Sequence, residues 1–470
     1  MLTLPINPAE NASPEALLAF LSQCRDMARS DGRARLVSIS IKVPALDPLA
    51  VLESIYEAGE LHFYAERPSD LTAIAGAEAV LTHECAGADR FASAKAFVDD
   101  VFDRTVAVGA VDAPFGGPHV FAGFAFQDEV ADGEPFPAAR LFVPRWQVAR
   151  AGDTTTAVAN LLVAPDAELA ALAERVWRAH AKFGNVRYRE TPVMESAPLA
   201  FTANEVGDYR ASVAQALTEI GRGDFQKIVL ARALGLTANQ PLHPLRVLNG
   251  LRERFPECTS FSFADAHGRS FIGASPERLL RVSRGVLETE ALAGSTRRGQ
   301  GAAEDAALGA ALLGSEKDRR EQRHVLDSII RRLTPLGVRP EFGDEPGLKK
   351  LANVQHLHTP VKAALPAGIH FLDALAALHP TPAVGGSPRG VAVARIRSLE
   401  GFDRGLYAGA IGWLNARGGG EFLVGLRSGL VEGEHARLYA GAGIVAGSDP
   451  EREFAETDLK FRAMREALGG

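Results

Sequence analysis

Cysteine is scarce in this chain. Only Cys24, Cys85 and Cys258 occur in 470 residues, odd in number and far apart. They make neither a disulfide framework nor a metal knuckle, which points to a reducing compartment. Long apolar runs are missing too, since none approaches the roughly 18 residues that span a bilayer. The opening stretch, MLTLPINPAENASPEALLAF, has no basic region ahead of an apolar core, so no signal peptide is evident. Nor is there a basic block or stripe: 51 basic and 58 acidic residues are intermixed for a net charge of −7. That disfavours nucleic acid as a partner. No period of 20 to 50 residues recurs, which excludes repeat architectures. The expectation is a cytoplasmic protein with no membrane segment. What is present, 46% hydrophobic and 23% charged residues, is ordinary globular composition, and the length allows roughly two to four structural units.

The first two hundred residues carry a core and no evident chemistry. Glu15–Met27 has helical periodicity, with Ser13 as N-cap and Pro14 at the first helical position. Leu36–Val43, Leu61–Tyr64, Val120–Phe126 and Ala139–Val143 read as strands, and Ala94–Phe102 and Ala164–Phe183 as helices. His83-Glu84-Cys85 resembles a metal fragment but lacks a second ligand pair at suitable spacing. Near Arg187–Ala200 the chain turns polar and proline-bearing. The organisational boundary falls there, giving an N-terminal α+β portion, 1–200, and a second portion, 201–470.

The second portion is organised around Tyr439–Lys460. Tyr439–Val445 is a small-residue strand whose glycines admit close backbone contact with an anion. Ser448, Asp449 and Pro450 then start a helix, on which Glu453, Glu456 and Lys460 share one face. A solvated ion pair is the ordinary explanation of such spacing. Here the face opens off a glycine-rich strand, a geometry that suits a divalent cation and an anionic ligand. Upstream, a helix over Tyr209–Arg222 precedes the strand Lys227–Arg232, with Lys227 at its first position. Edge lysines commonly serve solubility; the functional alternative is a lysine made a base by its surroundings. Ser260–Ala264 and Ser270–Ile272 form a hairpin leading to Glu277, a carboxyl in a Gly/Ser/Pro turn. Glu288–Arg298 runs into a glycine turn containing Gly294 and Ser295, shaped for backbone contacts to a carboxylate or carbonyl. Ser315–Leu333 is an amphipathic helix bearing Glu321. Val354–Leu357 is a strand with His356, and His379–Arg389 is a rigid loop containing Ala383. Tyr407–Trp413 and Glu421–Ser428 pair as a hairpin, the second strand carrying Arg427. The sum is a largely antiparallel α+β arrangement.

In order along the chain, KIVLAR, GASPERL, ALAGSTRRG, SEKDRREQ, HPTPAVGG, FDRGLYAGAIGW, LVGLRS and AGAGIVAGSDPEREFAETDLK resemble the chorismate-utilising enzymes, over roughly Ala203 to Leu468. The resemblance implies one large α+β sandwich of two antiparallel sheets with flanking helices, to which the N-terminal half contributes, and a Mg²⁺-dependent site binding chorismate. By the family's pattern Glu321 and Glu456 hold Mg²⁺, with Glu453 acting through water, and oxygen ligands with retained waters are what Mg²⁺ prefers. Tyr407, Arg427 and the backbone at Gly441 would receive the enolpyruvyl carboxylate, Arg427 in bidentate fashion. Lys460 would lie near the ring carboxylate, and His356 would line the ring pocket. Lys227 would be the general base and Glu277 the general acid.

Within the family, Lys227 resembles the members that add water rather than ammonia. ALAGS, and Ala383 where others tend to carry threonine, point to isochorismate synthases, most like the menaquinone type. The nearest competitor is a salicylate synthase, which carries isochorismate on by eliminating pyruvate; anthranilate and aminodeoxychorismate synthases stand further off. No amidotransferase subunit is then expected, and the chain should work as a monomer. A catalytically dead homologue would have lost the acid, the base or the metal carboxylates, and all are present. One departure is Gln322, where the family usually has histidine; it leaves the ligand in place and touches only its surroundings.

Overall fold

The computed structural model of the chain describes residues 1–8, 13–55, 57, 59–184, 199–352 and 354–469. Local rules place most elements where expected. The helix Pro14–Asp31 starts on Ser13, whose hydroxyl accepts from the Ala16 N–H, with Pro14 in the first turn, where its missing donor costs nothing. The helix Tyr209–Arg222 ends at Gly223 in the left-handed conformation. The helix expected over 164–183 instead begins at Leu169, because Pro165 lies in a turn closed by Ala167 N–H onto Ala164 O. Of the boundary expected at Arg187–Ala200, residues 187–198 lie outside the described residues.

The strands join one hydrogen-bonded network that divides into two arms at the paired strands Thr72–Cys85 and Ala139–Ala151. The first arm runs from Thr72–Cys85 through His62–Arg67, Thr259–Ala264, Arg269–Ser275, Ser428–Glu432 and His435–Val445 to Lys227–Ala238. The second runs from Ala139–Ala151 through His119–Phe124, Ala410–Asn415, Gly420–Val424, Arg278–Ser283 and Val286–Arg297 to Val354–Ala364. Every pairing within the arms is antiparallel. Among the described residues, parallel pairing is confined to Thr105–Gly109, which lies between Leu2–Leu4 and Arg35–Val43.

The arms face each other as the two layers of an α+β sandwich. Phe63 of the first stacks on Phe121 of the second with ring centroids 4.4 Å apart, and Phe263 meets Phe142 edge-on at 5.9 Å. These rings are fully buried, each contributing about 1.5–3 kcal/mol. The two expected sheets are therefore present, made continuous where the Thr72 and Ala139 strands pair. Strands from the first two hundred residues make the join, and later strands extend each layer outward from His62–Arg67 and from His119–Phe124.

Candidate active site

Two short links carry the chain from one layer to the other, and both bear a candidate residue. Ser275 closes the Arg269 strand in the first layer, and Arg278 opens its strand in the second; Pro276 and Glu277 make the crossing. The return crossing runs from Val424 in the second layer to Ser428 in the first, through Gly425, Leu426 and Arg427. Arg427 was expected within a strand, but the strand stops at Val424. The chain must turn the corner between layers, and Arg427 does so at a φ of +48°. The crossings are tied together: Ser275 Oγ donates to Val424 O at 2.6 Å, Val424 N–H to Glu277 O at 3.2 Å, and Ala274 N–H to Arg427 O at 3.1 Å.

Glu277 is 7% exposed, and its carboxyl has no hydrogen-bond partner among the described residues. Burial, helped by the neighbouring Glu290 carboxylate and opposed by Lys349, pushes its pKa up to about 8. A carboxylic acid that keeps its proton at neutral pH can donate it.

Lys227 opens its strand opposite Val445. Its side chain runs over Gly443, where a Cβ would lie 3.0 Å from Lys227 Cε; glycine leaves the path open. The ammonium reaches Glu321 Oε1 at 2.6 Å. Glu321 projects from the helix Glu316–Leu333, capped by Ser315. The adjacent Gln322 is turned inward, donating to Thr359 Oγ1 at 2.7 Å. The Ala383 loop flanks the same strand, with Ser387 and Gly386 paired to Lys227 and Ile228 and Gly385 O accepting from Val229 N–H at 3.0 Å.

The helix Pro450–Ala467 starts on Asp449, whose carboxylate accepts from the Arg452 N–H. Lys460 Nζ donates to Gly441 O and to Glu456 Oε1, both at 2.7 Å. A Cβ on Gly441 would lie 3.0 Å from the Tyr407 hydroxyl. Tyr407 is buried, stacked on Tyr439 at 5.1 Å, and burial raises its pKa. His356 Nδ1 meets Ser295 Oγ at 2.6 Å. Its pKa is pushed down to about 3, first by burial and then by Arg427, Lys460 and Lys349, so the ring is neutral and in the company of three cations. Gly294 forms the bulge where the register between the Val286 and Val354 strands shifts. Its φ is +72°, and a Cβ there would lie 2.9 Å from Asp318 Cβ on the Glu316 helix.

Among the described residues, no three His, Cys, Asp or Glu side chains converge tightly enough to cage a metal. Glu321 and Glu456 are each engaged by a lysine. The donors nonetheless fit Mg²⁺ in kind. Glu453 has its pKa raised by burial, with Ser448 opposing and Glu456 adding to the rise, so two carboxyls of this helix crowd each other. Mg²⁺ commonly takes one or two carboxylates and fills its shell with water and substrate oxygens; a complete protein cage is not required.

Three residues with no role in the sequence expectations stand beside Glu277. Glu290, Lys349 and His358 are linked at 2.8–2.9 Å. Another is the buried pair Arg404–Glu400. Arg404 donates to Val384 O and Val229 O at 2.9 and 2.7 Å, and Glu400 accepts from Ala231 N–H at 2.6 Å, locking the Ala383 loop to the Lys227 strand. FDRGLYAG carried part of this signal; an arginine followed by an apolar run and buried with it needs a buried partner.

A buried, proton-holding carboxyl on one crossing, a lysine paired with a glutamate, and cationic side chains around a neutral histidine are groups that acid–base chemistry on a small anion could use. The comparison with known families is specific: residues 19–469 match the chorismate binding enzyme family. The chain is 37% identical to the salicylate biosynthesis isochorismate synthase of Pseudomonas aeruginosa, over 96% of each chain. It is 33% identical to isochorismate synthase MenF of Bacillus subtilis, over 94% of this chain and 95% of that one. Among solved structures, MenF, the menaquinone-specific isochorismate synthase from Escherichia coli, superposes with a TM-score of 0.78 at 27% identity, covering 95% of this chain and 99% of that one. The chain belongs to the chorismate-binding enzymes.

Proposed function

We propose that this chain is an isochorismate synthase, adding water at C2 of chorismate and expelling the C4 hydroxyl as both ring double bonds shift. The observation that carries this is Glu277, an acid kept protonated by its own fold and carried on the crossing that is bonded to the Arg427 crossing. Lys227, once its amine is neutral and released from Glu321, takes a proton from the attacking water as the new C2–O bond forms. The ring double bonds C1=C2 and C5=C6 become C1=C6 and C4=C5, the C4–O bond breaks, and Glu277 delivers its proton to the departing hydroxide. One water enters and one leaves, so the net change is an isomerisation. Each group is worth roughly 10²–10⁴-fold in rate.

Arg427, Tyr407 and the Gly441 backbone receive the enolpyruvyl carboxylate, while Lys460 lies toward the ring carboxylate. Neutral His356, Ser295, Gly294 and Ala383 line the ring pocket. Mg²⁺, held by Glu321 and Glu456 directly and by Glu453 through water, would supply positive charge to the ring carboxylate. With water as nucleophile the chain needs no amidotransferase, and the reading is completed by a monomer in the cytoplasm. No helix among the described residues is long and apolar enough to cross a membrane.

The test is to incubate the purified protein with chorismate and Mg²⁺, with no ammonia source, and to separate the products. Isochorismate in reversible equilibrium with chorismate, lost on adding EDTA and restored by Mg²⁺, is the expected result. Salicylate and pyruvate as main products would make the chain a salicylate synthase. Turnover only with ammonium would overturn water as the nucleophile.

A further inference from the structure

The turn that carries Glu277 is held from outside. Lys349, in the short strand Gly347–Lys350, donates to Pro276 O at 2.8 Å, just before Glu277. Just after it, the Arg278 N–H donates to Glu290 Oε1 at 3.0 Å. Glu290 comes from the Val286 strand, and its carboxylate is gripped by Lys349 at 2.8 and 2.9 Å and by His358 Nε2 at 2.8 Å. The three side chains are only 11–23% exposed. Burying a cation and an anion together seldom adds net stability, so packing alone gives little reason to set such a group against one turn.

We propose that Glu290, Lys349 and His358 are positioning residues for Glu277, gripping both ends of its turn and fixing where the carboxyl points. The proposal rests on Glu277 being the acid of the reaction above. Glu290 and Lys349 also act with opposite signs on the electrostatic balance at the carboxyl. Glu290 is held ionised: burial alone would raise its pKa, but His358, Lys349 and the Arg278 N–H together bring it down to about 2. From its strand Glu290 discourages ionisation of Glu277, and from the neighbouring strand Lys349 encourages it. His358, on the Val354 strand, faces Glu290. Arg278, next along the chain, is turned away onto Glu421, 2.9 Å off, with Asp70 at 3.8 Å.

Opposite substitutions should therefore act in opposite directions. Removing Glu290's charge leaves Lys349 unopposed, and Glu277 should ionise at lower pH; removing Lys349's charge should do the reverse. The experiment follows the ¹³C-labelled Glu277 carboxyl by NMR across pH, assigned by its disappearance in Glu277→Gln. It compares wild type, Glu290→Gln, Lys349→Met and Lys349→Arg, and records kcat/KM against pH for each. The expected midpoint falls by about one unit or more in Glu290→Gln, rises in Lys349→Met and returns toward wild type in Lys349→Arg, with the alkaline limb of kcat/KM moving in step. Loss of activity at every pH with an unmoved midpoint would overturn the proposal and leave the three residues as scaffold. A midpoint that moves while the kcat/KM limb stays put would uphold the network's control of the carboxyl and overturn Glu277 as the acid. The two variants of opposite sign guard against misfolding of either one.

Discussion

Glu277 and Lys227 are prepared in contrasting ways. Glu277 is shut away from water, its carboxyl has no hydrogen-bond partner among the described residues, and its turn is tied at both ends. Lys227 reaches across to Glu321, whose side chain is 36% exposed, and donates to it at 2.6 Å. The proposed acid is thus set by the folded chain itself, through charges fixed on neighbouring strands. The proposed base sits in a partly exposed ion pair, which a ligand can reach.

The comparison breaks most sharply if either group is removed. Glu277→Gln and Lys227→Ala should each lower kcat by roughly 10²–10⁴-fold, read as isochorismate formed per unit time at saturating chorismate. A smaller effect should come from Gly443→Val, which crowds the path of Lys227 and leaves Glu277 untouched. Misplacing a reacting group by an ångström can cost on the order of a hundredfold, so a loss of about ten- to a hundredfold is expected, with the alkaline limb of kcat/KM unmoved. An equal loss in a variant placed near Glu277 but far from Lys227 would blur the distinction.

The pH dependence sharpens it further. As the proposed acid Glu277 would act protonated, so kcat/KM should fall as pH rises through about 8. Stability carries the same sign. The folded-state value is raised above the unfolded one, so the native protein holds a proton that the unfolded chain releases. The stabilisation is fully present below the unfolded value, near 4.3, and is lost as pH rises through about 8. Glu277→Gln should then melt at higher temperature than wild type at pH 8, and the difference should vanish below pH 4, as thermal denaturation at the two pH values would show. The smallest effect belongs to Gln322→Ala. It leaves the buried Thr359 hydroxyl without its donor, for a cost of about 1 kcal/mol, visible in urea denaturation, while product formation stays near wild type.

Legibility in the sequence followed the range of the interactions involved. The Pro450 helix, the Ser13 cap and the Lys227 strand were readable because caps and alternation act within a few residues. Arg427 was assigned to a strand because Glu421–Ser428 was read as the second half of a hairpin; the corner there exists because the chain changes layers, a fact of the tertiary structure. Glu290, Lys349 and His358 gave no usable signal. Their meeting depends on the register of the Gly347 and Val286 strands against Val354–Ala364, and one of those strands is only four residues long. The contact of Lys227 with Glu321 was equally out of view, since the two residues lie 94 apart in the chain, whereas the Glu456–Lys460 pair was offered by its four-residue spacing.

The pairing of early strands with much later ones has a consequence for the protein while it is being made. The strand His62–Arg67 pairs on one edge with Thr259–Ala264, and His62 meets Ser262, 200 residues later in the chain, at 2.8 Å. Until the ribosome has delivered that partner, the early strand carries an open edge and the exposed ring of Phe63. Such edges recruit whatever strand is nearest, and closing so long a loop is slow. Nascent chains of this protein should therefore depend on holding chaperones, and two separately produced halves should regain activity only when each is present as the other folds.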